Sequence, residues 1–251
     1  MTDLSPDNVL AVFLIFCRIG ACLLIIPGFS SNHVPVKVRL FIAIVVALAL
    51  TPLLVPALKP LTADQSPGNV LRLILAELGT GILIGFVGRL FFAALQTIAM
   101  AVANAIGIGG MPGSVPDEGD QSPTLVTLFT LTATVLLFST NQHWELLRGL
   151  VDSYQTIPAG QGIISRLALV DVTDQFTAAF LLALRIGSPF LIYSIVINFA
   201  VGLANKLTPQ IPIFFIATPF VMAGGMFLLY FTVGDFMTHF NTAFSIWLAK
   251  G

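Results

Sequence analysis

The chain has 251 residues, of which 57% are hydrophobic and only 9% are charged. Soluble globular proteins carry roughly 25% charged residues, so most of this surface must be covered by lipid or by partner proteins rather than by water. The net charge of −1 provides no basic surface for nucleic acid.

Six apolar stretches follow one another along the chain, and most are long enough for a helix across a hydrocarbon core, which requires about 20 residues. We therefore predict an all-α integral membrane protein with about six long apolar helices. The third stretch would exceed about 50 Å as one helix, so it must break, project beyond the bilayer or be covered by other protein. The stretches are residues 9–26, 40–58, 70–108, 124–139, 176–204 and 211–231.

The first stretch is expected to remain in the mature protein. Asp3 and Asp7 stand where a cleaved signal peptide would carry lysine or arginine. Cys17 and Cys22 follow in the same stretch, where a spacing of five directs them to different faces of a helix. This spacing favours apolar packing over a disulfide or a metal site.

The connections carry two further signals. In the polar region 141–175, Trp144, Leu147 and Val151 recur at helical spacing and predict a short helix at the membrane surface. The basic residues do not orient the chain by the positive-inside rule, which is less surprising if the helices do not simply cross the membrane. Those on one predicted side are Lys37, Arg39 and Lys206, and those on the other are Lys59, Arg148, Arg166 and Lys250.

Four charged residues, Arg18, Glu77, Arg89 and Arg185, lie within or close to the apolar stretches. Each costs about 2.5 to 3.5 kcal/mol at a helix centre, so such residues face protein or water. One glutamate among three arginines favours an ion pair within the chain, and the alternative is a polar lining for a conduit.

Glycine spacing in the third stretch predicts close helix packing. Gly81 and Gly85 form a small-xxx-small pair, which allows two helix backbones to approach each other. We therefore interpret these two residues as packing residues.

No constellation of catalytic, cofactor-binding or metal-binding residues emerges from the sequence. His33, His143 and His239 are far apart, without a zinc-type spacing near them. Gly119-Asp120 and Gly234-Asp235 resemble only faintly the paired aspartates of a membrane protease, and Asp120 lies in an acidic loop. We predict no enzymatic site, no cofactor and no metal.

Several segments in order resemble the FliR family, the membrane proteins of the flagellar and type III secretion export apparatus. The resemblance covers nearly the whole chain. In the C-terminal third, the segments are ALRIGSP (183–189), NFAVGL (198–203) and KLTPQIPIF (206–214). Earlier segments are FCRIG (16–20), VPVKVRL (34–40), Thr51-Pro52 and QSP (121–123).

The resemblance implies one export-gate domain, residues 1–251. Residues 1–175 would be FliP-like helices, and residues 176–251 a FliQ-like helical hairpin with a C-terminal tail. Such a subunit assembles with FliP-type and FliQ-type proteins, alongside FlhB-type and FlhA-type export proteins, into a closed conical channel for unfolded secreted proteins. Its expected location is the bacterial inner membrane, as a multi-pass protein in contact with lipid, within a flagellar basal body or an injectisome.

The resemblance also assigns a gate role to the loop 107–122, which would help to plug the channel. Its glycines would let the backbone move, and its apolar side chains could seal a narrow bore against water. The alternative is a plain exposed surface loop. The candidate gate residues are Ile106, Ile108, Gly109, Gly110, Met111, Pro112 and Val115.

Between the last two apolar stretches, Pro209 disfavours continuation of a helix and predicts the tip of a helical hairpin. We expect Lys206, Pro209 and Gln210 at this tip to contact a neighbouring subunit. The rival interpretation of the whole chain is a stand-alone transporter or channel for small molecules, which broken helices and buried arginines would also fit.

Overall fold

A computed structural model describes residues 6–30, 34–109, 124–160 and 166–250. These residues form seven helices, and none of the described residues lies in a strand. The prediction of an all-α protein is therefore confirmed. The helices are α1 (Pro6–Ile25), α2 (Val36–Leu58), α3 (Pro67–Ala105), α4 (Thr124–Ser139), α5 (Gln142–Thr156), α6 (Arg166–Leu207) and α7 (Ile213–Lys250).

Five of these helices, α1, α2, α3, α6 and α7, are each long and apolar enough to cross a membrane. Helices α4 and α5 meet at an angle of 73° and could together form a sixth, broken span. The break lies at Asn141, which adopts a left-handed conformation with φ 59°. Asparagine tolerates this conformation better than most residues do.

Helix α3 runs without interruption for 39 residues, which corresponds to about 58 Å at about 1.5 Å per residue. Of the three alternatives for the overlong stretch, a break is therefore excluded. The helix must project beyond a bilayer or be covered by protein along part of its length.

Helices α6 and α7 extend further than the apolar stretches predicted, from residue 166 and to residue 250 respectively. Beyond residue 231, α7 becomes amphipathic. Phe236, Phe240 and Phe244 are buried at intervals of four residues, whereas Asp235 and Thr238 are exposed. A continuous apolar window does not detect such a segment, because only one face of the helix is apolar.

Helix α5 confirms the predicted short helix, and it packs on the chain through a face other than the one that carries Trp144. Trp144 is 64% exposed, and the buried face of α5 instead includes Leu146, Leu150, Ser153 and Tyr154. Ser153 and Tyr154 are buried because they contact a charged side chain, so a search for apolar residues alone does not find this packing face.

The chain packs as two compact units. The first comprises Met1–Phe91, Leu137–Thr177 and Ser245–Gly251, and the second comprises Phe92–Leu136 and Ala178–Phe244.

In the first unit, glycines of α3 face α1. A Cβ atom added to Gly81 would overlap the carbonyl oxygen of Arg18, and one added to Gly85 would lie 2.9 Å from the carbonyl oxygen of Cys22. One turn further, a Cβ on Gly88 would lie 2.9 Å from Cγ1 of Ile26. Three glycines therefore allow the α3 backbone to lie against α1.

In the second unit, α6 and α7 form an antiparallel hairpin against the C-terminal part of α3. Ile98 of α3 packs on Gly187 of α6, and Ile106 packs on Gly225 of α7. Within the hairpin, the hydroxyl of Tyr193 donates a 2.6 Å hydrogen bond to the carbonyl oxygen of Val221. The two glycines again create the close approach, because side chains of α3 occupy the space that a Cβ would need.

Candidate functional sites

A buried ion pair joins α1 to α3. Arg18 Nε donates a 2.7 Å hydrogen bond to Glu77 Oε2, and Arg18 Nη2 donates a 3.1 Å bond to Glu77 Oε1. Both residues have no solvent exposure. Such a two-bond pairing neutralises both charges in a place where an isolated charge would be very costly.

The same two residues bind α5 and the segment that follows it. Arg18 Nη1 donates a 3.1 Å bond to Ser153 Oγ, and Nη2 donates a second 3.1 Å bond to the carbonyl oxygen of Ile157. The guanidinium also lies 3.8 Å from the ring centroid of Tyr154. Glu77 Oε1 in turn accepts a 3.2 Å bond from the backbone nitrogen of Gly160. This cluster therefore holds three helices and one connection together.

The position of Gly160 requires glycine. Its φ is +77°, and an added Cβ would lie 2.6 Å from Cδ2 of Leu73. Ser153, Ile157 and Gly160 could not be predicted as partners of the ion pair, because two of the three contacts use backbone atoms that any residue has.

Arg89 and Arg185 are not buried, unlike Arg18 and Glu77. The two alternatives for the four charges are an ion pair within the chain and a polar lining of a conduit. Both arginines are exposed, so neither belongs to the buried ion pair, and a polar lining stays a prediction for them.

The start of the candidate gate loop is a helix cap. Gly107 has a φ of +80°. Its backbone nitrogen donates a 3.1 Å hydrogen bond to the carbonyl oxygen of Asn104, and the backbone nitrogen of Ile108 donates a 2.9 Å hydrogen bond to the carbonyl oxygen of Ala103. These two bonds and the left-handed glycine form a Schellman motif, which ends α3. Gly107 therefore fixes the direction in which the chain leaves the helix.

Ile106 is not a free sealing residue. It has no solvent exposure, and its side chain and backbone fill the space next to Gly225. The assignment of Ile106 to the sealing surface of the loop is therefore wrong, because this side chain belongs to the packed interior of the second unit. Ile108 and Gly109 are half-buried, and the candidates Gly110, Met111, Pro112 and Val115 lie outside the described residues.

An apolar cavity of about 580 Å³ lies beside the cap in the second unit. Asn104 and Gly107 line it from α3, Asn198 lines it from α6, and Phe215 and Met222 line it from α7. Sequence reasoning missed this cavity, since its walls come from three helices that are distant along the chain.

The predicted hairpin tip is present between α6 and α7. Helix α6 ends at Leu207 and α7 begins at Ile213, and the turn is closed by a 3.1 Å bond from the nitrogen of Ile211 to the carbonyl oxygen of Thr208. The three candidate contact residues, Lys206, Pro209 and Gln210, are all exposed.

Comparison with known proteins identifies the family. The sequence model for the bacterial export proteins, family 1, matches residues 9–246. The chain belongs to this family. The match covers almost the entire chain, from α1 into the last turns of α7.

Individual members of this family agree with the resemblance noted in the sequence. The chain is 26% identical over 216 residues to the flagellar biosynthetic protein FliR of Caulobacter vibrioides, covering 86% of this chain and 85% of that protein. It is 27% identical over 212 residues to FliR of Escherichia coli, covering 84% and 80%. The Yop proteins translocation protein T of Yersinia pestis is 27% identical over 245 residues, covering 97% and 93%. Membership of the FliR family is therefore confirmed.

The described residues contain no candidate metal site: nowhere among them do three or more histidine, cysteine, aspartate or glutamate side chains lie close enough together to hold an ion. Cys17 and Cys22 are buried free thiols in α1, in agreement with their interpretation as packing residues.

Proposed function

We propose that the chain is a subunit of a type III protein export gate in the bacterial inner membrane. In this proposal it assembles with FliP-type and FliQ-type proteins, next to FlhB-type and FlhA-type proteins, into a channel for unfolded secreted proteins. The observation that carries the proposal is the family match along residues 9–246. Its relatives are named for flagellar biosynthesis and for Yop protein translocation, so the substrates are flagellar or injectisome proteins. The role requires no catalytic residue, cofactor or metal.

The exposed surface of the hairpin supports assembly with other helices. In the most apolar 18-residue window of α7 only 6% of residues are buried, against 56% in α1. Phe215 is 77% exposed and Tyr230 is 76% exposed. An apolar surface of this extent is covered by lipid or by partner protein, as a gate subunit surrounded by other subunits would be.

The division of the domain into FliP-like helices, 1–175, and a FliQ-like hairpin, 176–251, is part of the proposal. The antiparallel pairing of α6 and α7 around a turn of five residues, 208–212, supports the second part. The loop 107–122 is proposed to close the channel at rest. Its rigid start at Gly107 and Ile108 would hold it at a fixed position on the second unit.

Co-purification separates this proposal from the rival of a stand-alone transporter. The tagged chain, co-expressed with FliP-type and FliQ-type proteins and extracted in mild detergent, should recover both partners. Expressed alone, it should aggregate or be degraded, because its exposed apolar helices lack cover. A long-lived, monodisperse monomer that transports a solute by itself would contradict the proposal.

A crosslinking experiment tests the proposed contact at the hairpin tip. With Lys206→Cys and single cysteines in the partner proteins, oxidation should produce a crosslink between subunits, because the position is exposed beyond the packed part of the hairpin. Gly202→Cys on α6, where an added Cβ meets no atom within 4 Å, is a matched exposed control one turn away. Crosslinks that stay within the chain while the complex is intact would remove Lys206 from the interface.

A further inference from the structure

An apolar groove of about 530 Å³ lies between α1 and α2 in the first unit. Helix α1 contributes Val9 and Phe13 to its walls, and these side chains are 54% and 46% exposed, whereas α2 contributes Leu48, which is 56% exposed. The polar lining residues among those described are Asn8, at one end of the groove, and Thr51, which is buried. Such a surface is covered by lipid or by partner protein rather than by water.

Pro52 interrupts the hydrogen bonding of α2 beside this groove. Proline has no backbone N–H, so the carbonyl oxygen of Leu48 does not receive the bond that residue 52 of a regular α-helix would donate to it. A helical carbonyl points along the axis toward the residue four positions later, and both Leu48 and Pro52 line the groove. The freed acceptor therefore lies on the groove side of α2.

The prolines within helices differ in how the chain compensates for the missing N–H. In α6, Pro189 withholds an N–H from the carbonyl of Arg185, and the hydroxyl of Ser188 donates a 2.8 Å hydrogen bond to that carbonyl instead. In α2, the hydroxyl of Thr51 donates its 2.8 Å bond to the carbonyl oxygen of Ala47, which is not the freed one. Among the residues that the structure describes, no side chain donates to the carbonyl that Pro52 frees.

The freed carbonyl lies far from both ends of its helix. Leu48 is the thirteenth of the 23 residues of α2, which places it about 18 Å from one end and about 15 Å from the other at about 1.5 Å per residue. Apart from Thr51, no side chain in residues 40–58 is polar. Pro56 and Pro219, by contrast, lie in the last turn of α2 and the second turn of α7, close to helix ends. Acyl chains have no hydrogen-bond donor and water does not reach the centre of an apolar span, so a donor for Leu48 comes from protein.

We propose that the groove between α1 and α2 holds an apolar helix of a neighbouring membrane subunit, and that a side chain of this helix donates a hydrogen bond to the carbonyl oxygen of Leu48. The identity of this neighbour as an export-gate subunit rests on the proposed function above. Serine, threonine, asparagine and glutamine are the donors that membrane helices use in such contacts. Lipid alone would cover the apolar walls but would leave the acceptor without a donor. A single acceptor in an otherwise apolar groove also fixes the height at which the neighbour binds.

The variant Pro52→Ala tests the acceptor. Alanine supplies an N–H to the Leu48 carbonyl and has no ring to displace that carbonyl from the helix, so the donor of the neighbour loses its partner in an apolar contact. In the tagged chain co-expressed with FliP-type and FliQ-type proteins, the amount of partner recovered per chain should fall about threefold or more. Pro189→Ala is the control, because Ser188 already donates to the carbonyl that Pro189 frees, and it should change recovery less than twofold.

A photo-crosslinking side chain in the groove identifies what fills it. Benzoylphenylalanine in place of Phe13, which lines the groove and is partly exposed, should form an adduct with a FliP-type or FliQ-type subunit when the complex is irradiated. Adducts with lipid alone, in a complex shown to be intact by co-purification, would overturn the proposal. An adduct with a second copy of this chain would overturn it as well.

The two proposals fail in distinguishable ways. If the wild-type chain recovers no FliP-type or FliQ-type protein, the proposed function fails. If the wild type recovers them and Pro52→Ala does so equally well, the proposed function stands and the inference about the groove is wrong. A fall in the abundance of the Pro52→Ala chain at an unchanged partner-to-chain ratio would place Pro52 in folding, and would likewise overturn the inference.

Discussion

Arg18 of α1 and Glu77 of α3 lie fully buried and share two hydrogen bonds of 2.7 and 3.1 Å. The pair is 59 residues apart along the chain and is the centre of a cluster that also binds Ser153, Ile157 and Gly160. The contribution of the ion pair to stability can be separated from that of the surrounding hydrogen bonds.

Removal of one charge of this pair should destabilise the protein strongly. Glu77→Gln leaves Arg18 buried without its counter-charge, for which the expected cost is about 3–5 kcal/mol. The measurement is the thermal stability of the detergent-solubilised export complex. Lys59→Gln, an exposed lysine at the end of α2, is the control and should change stability by well under about 1 kcal/mol.

The double variant Arg18→Met with Glu77→Met distinguishes the contribution of the ion pair from that of the hydrogen bonds around it. Replacement of both charges by apolar side chains removes the desolvation cost of both and should recover much of the stability lost in the single variant. If the double variant is as unstable as Glu77→Gln, the hydrogen bonds to Ser153, Ile157 and Gly160 carry the stability rather than the ion pair.

Close packing of α3 on α1 predicts that Gly81→Ala is harmful. The added methyl group would overlap the Arg18 carbonyl oxygen, and the helices must separate, at a cost of about 1–3 kcal/mol. Gly68→Ala in the same helix is the control, since no atom lies within 4 Å of its added Cβ. Thermal stability should fall in the first variant only, and equal behaviour of the two would show that α1 is not held tightly against α3.

The positions of most helices could be predicted from the sequence, but the full length of α7 could not. Apolar windows predicted α1 to α4 nearly to their ends, because lipid-facing and core-facing residues are both apolar in a membrane protein. They ended α7 at residue 231, because its last turns are apolar on the buried face only, with Phe236, Phe240 and Phe244.

The partner of Glu77 could not be chosen from the sequence either. Arg18, Arg89 and Arg185 all lie in apolar surroundings along the chain, so an ion pair could be predicted but its arginine could not. The packing of the helices selects Arg18, because Gly81 and Gly85 bring α1 against the face of α3 that carries Glu77. The buried position of Ile106 was missed for a similar reason, because the space that it fills is created by Gly225, more than a hundred residues away.

The contact between Ile106 and Gly225 predicts a link between hairpin packing and the gate. Gly225→Ala would place a methyl group against Cβ and Cγ2 of Ile106, and the displaced residue directly precedes the cap at Gly107. The base of the loop should therefore shift, and cells with the assembled variant complex should show a small resting leak of ions. Gly234→Ala in the same helix, with no atom within 4 Å of the added Cβ, should show none. If neither variant shows a leak, the packing of Ile106 on Gly225 does not affect the resting seal.

The candidate gate loop, residues 107–122, provides the most direct test of a resting seal. Shortening across residues 109–119 should leave the complex assembled, because α3 is already capped at Gly107 and Ile108 by its own hydrogen bonds. The membrane should nevertheless become permeable to small ions, since a closed pore depends on an apolar constriction that excludes water.

Single substitutions in the loop should reproduce this leak in weaker form. Met111→Asp or Val115→Asp places a charge in the proposed constriction, which water then enters, whereas Met111→Leu keeps the site apolar and should preserve the seal. Conductance or small-solute uptake is measured in cells whose complex is shown to be intact by co-purification. An exposed surface loop predicts normal impermeability for every variant. If the shortened loop and both aspartate variants retain the seal in an intact complex, the constriction lies elsewhere, and the loop has no part in closing the channel.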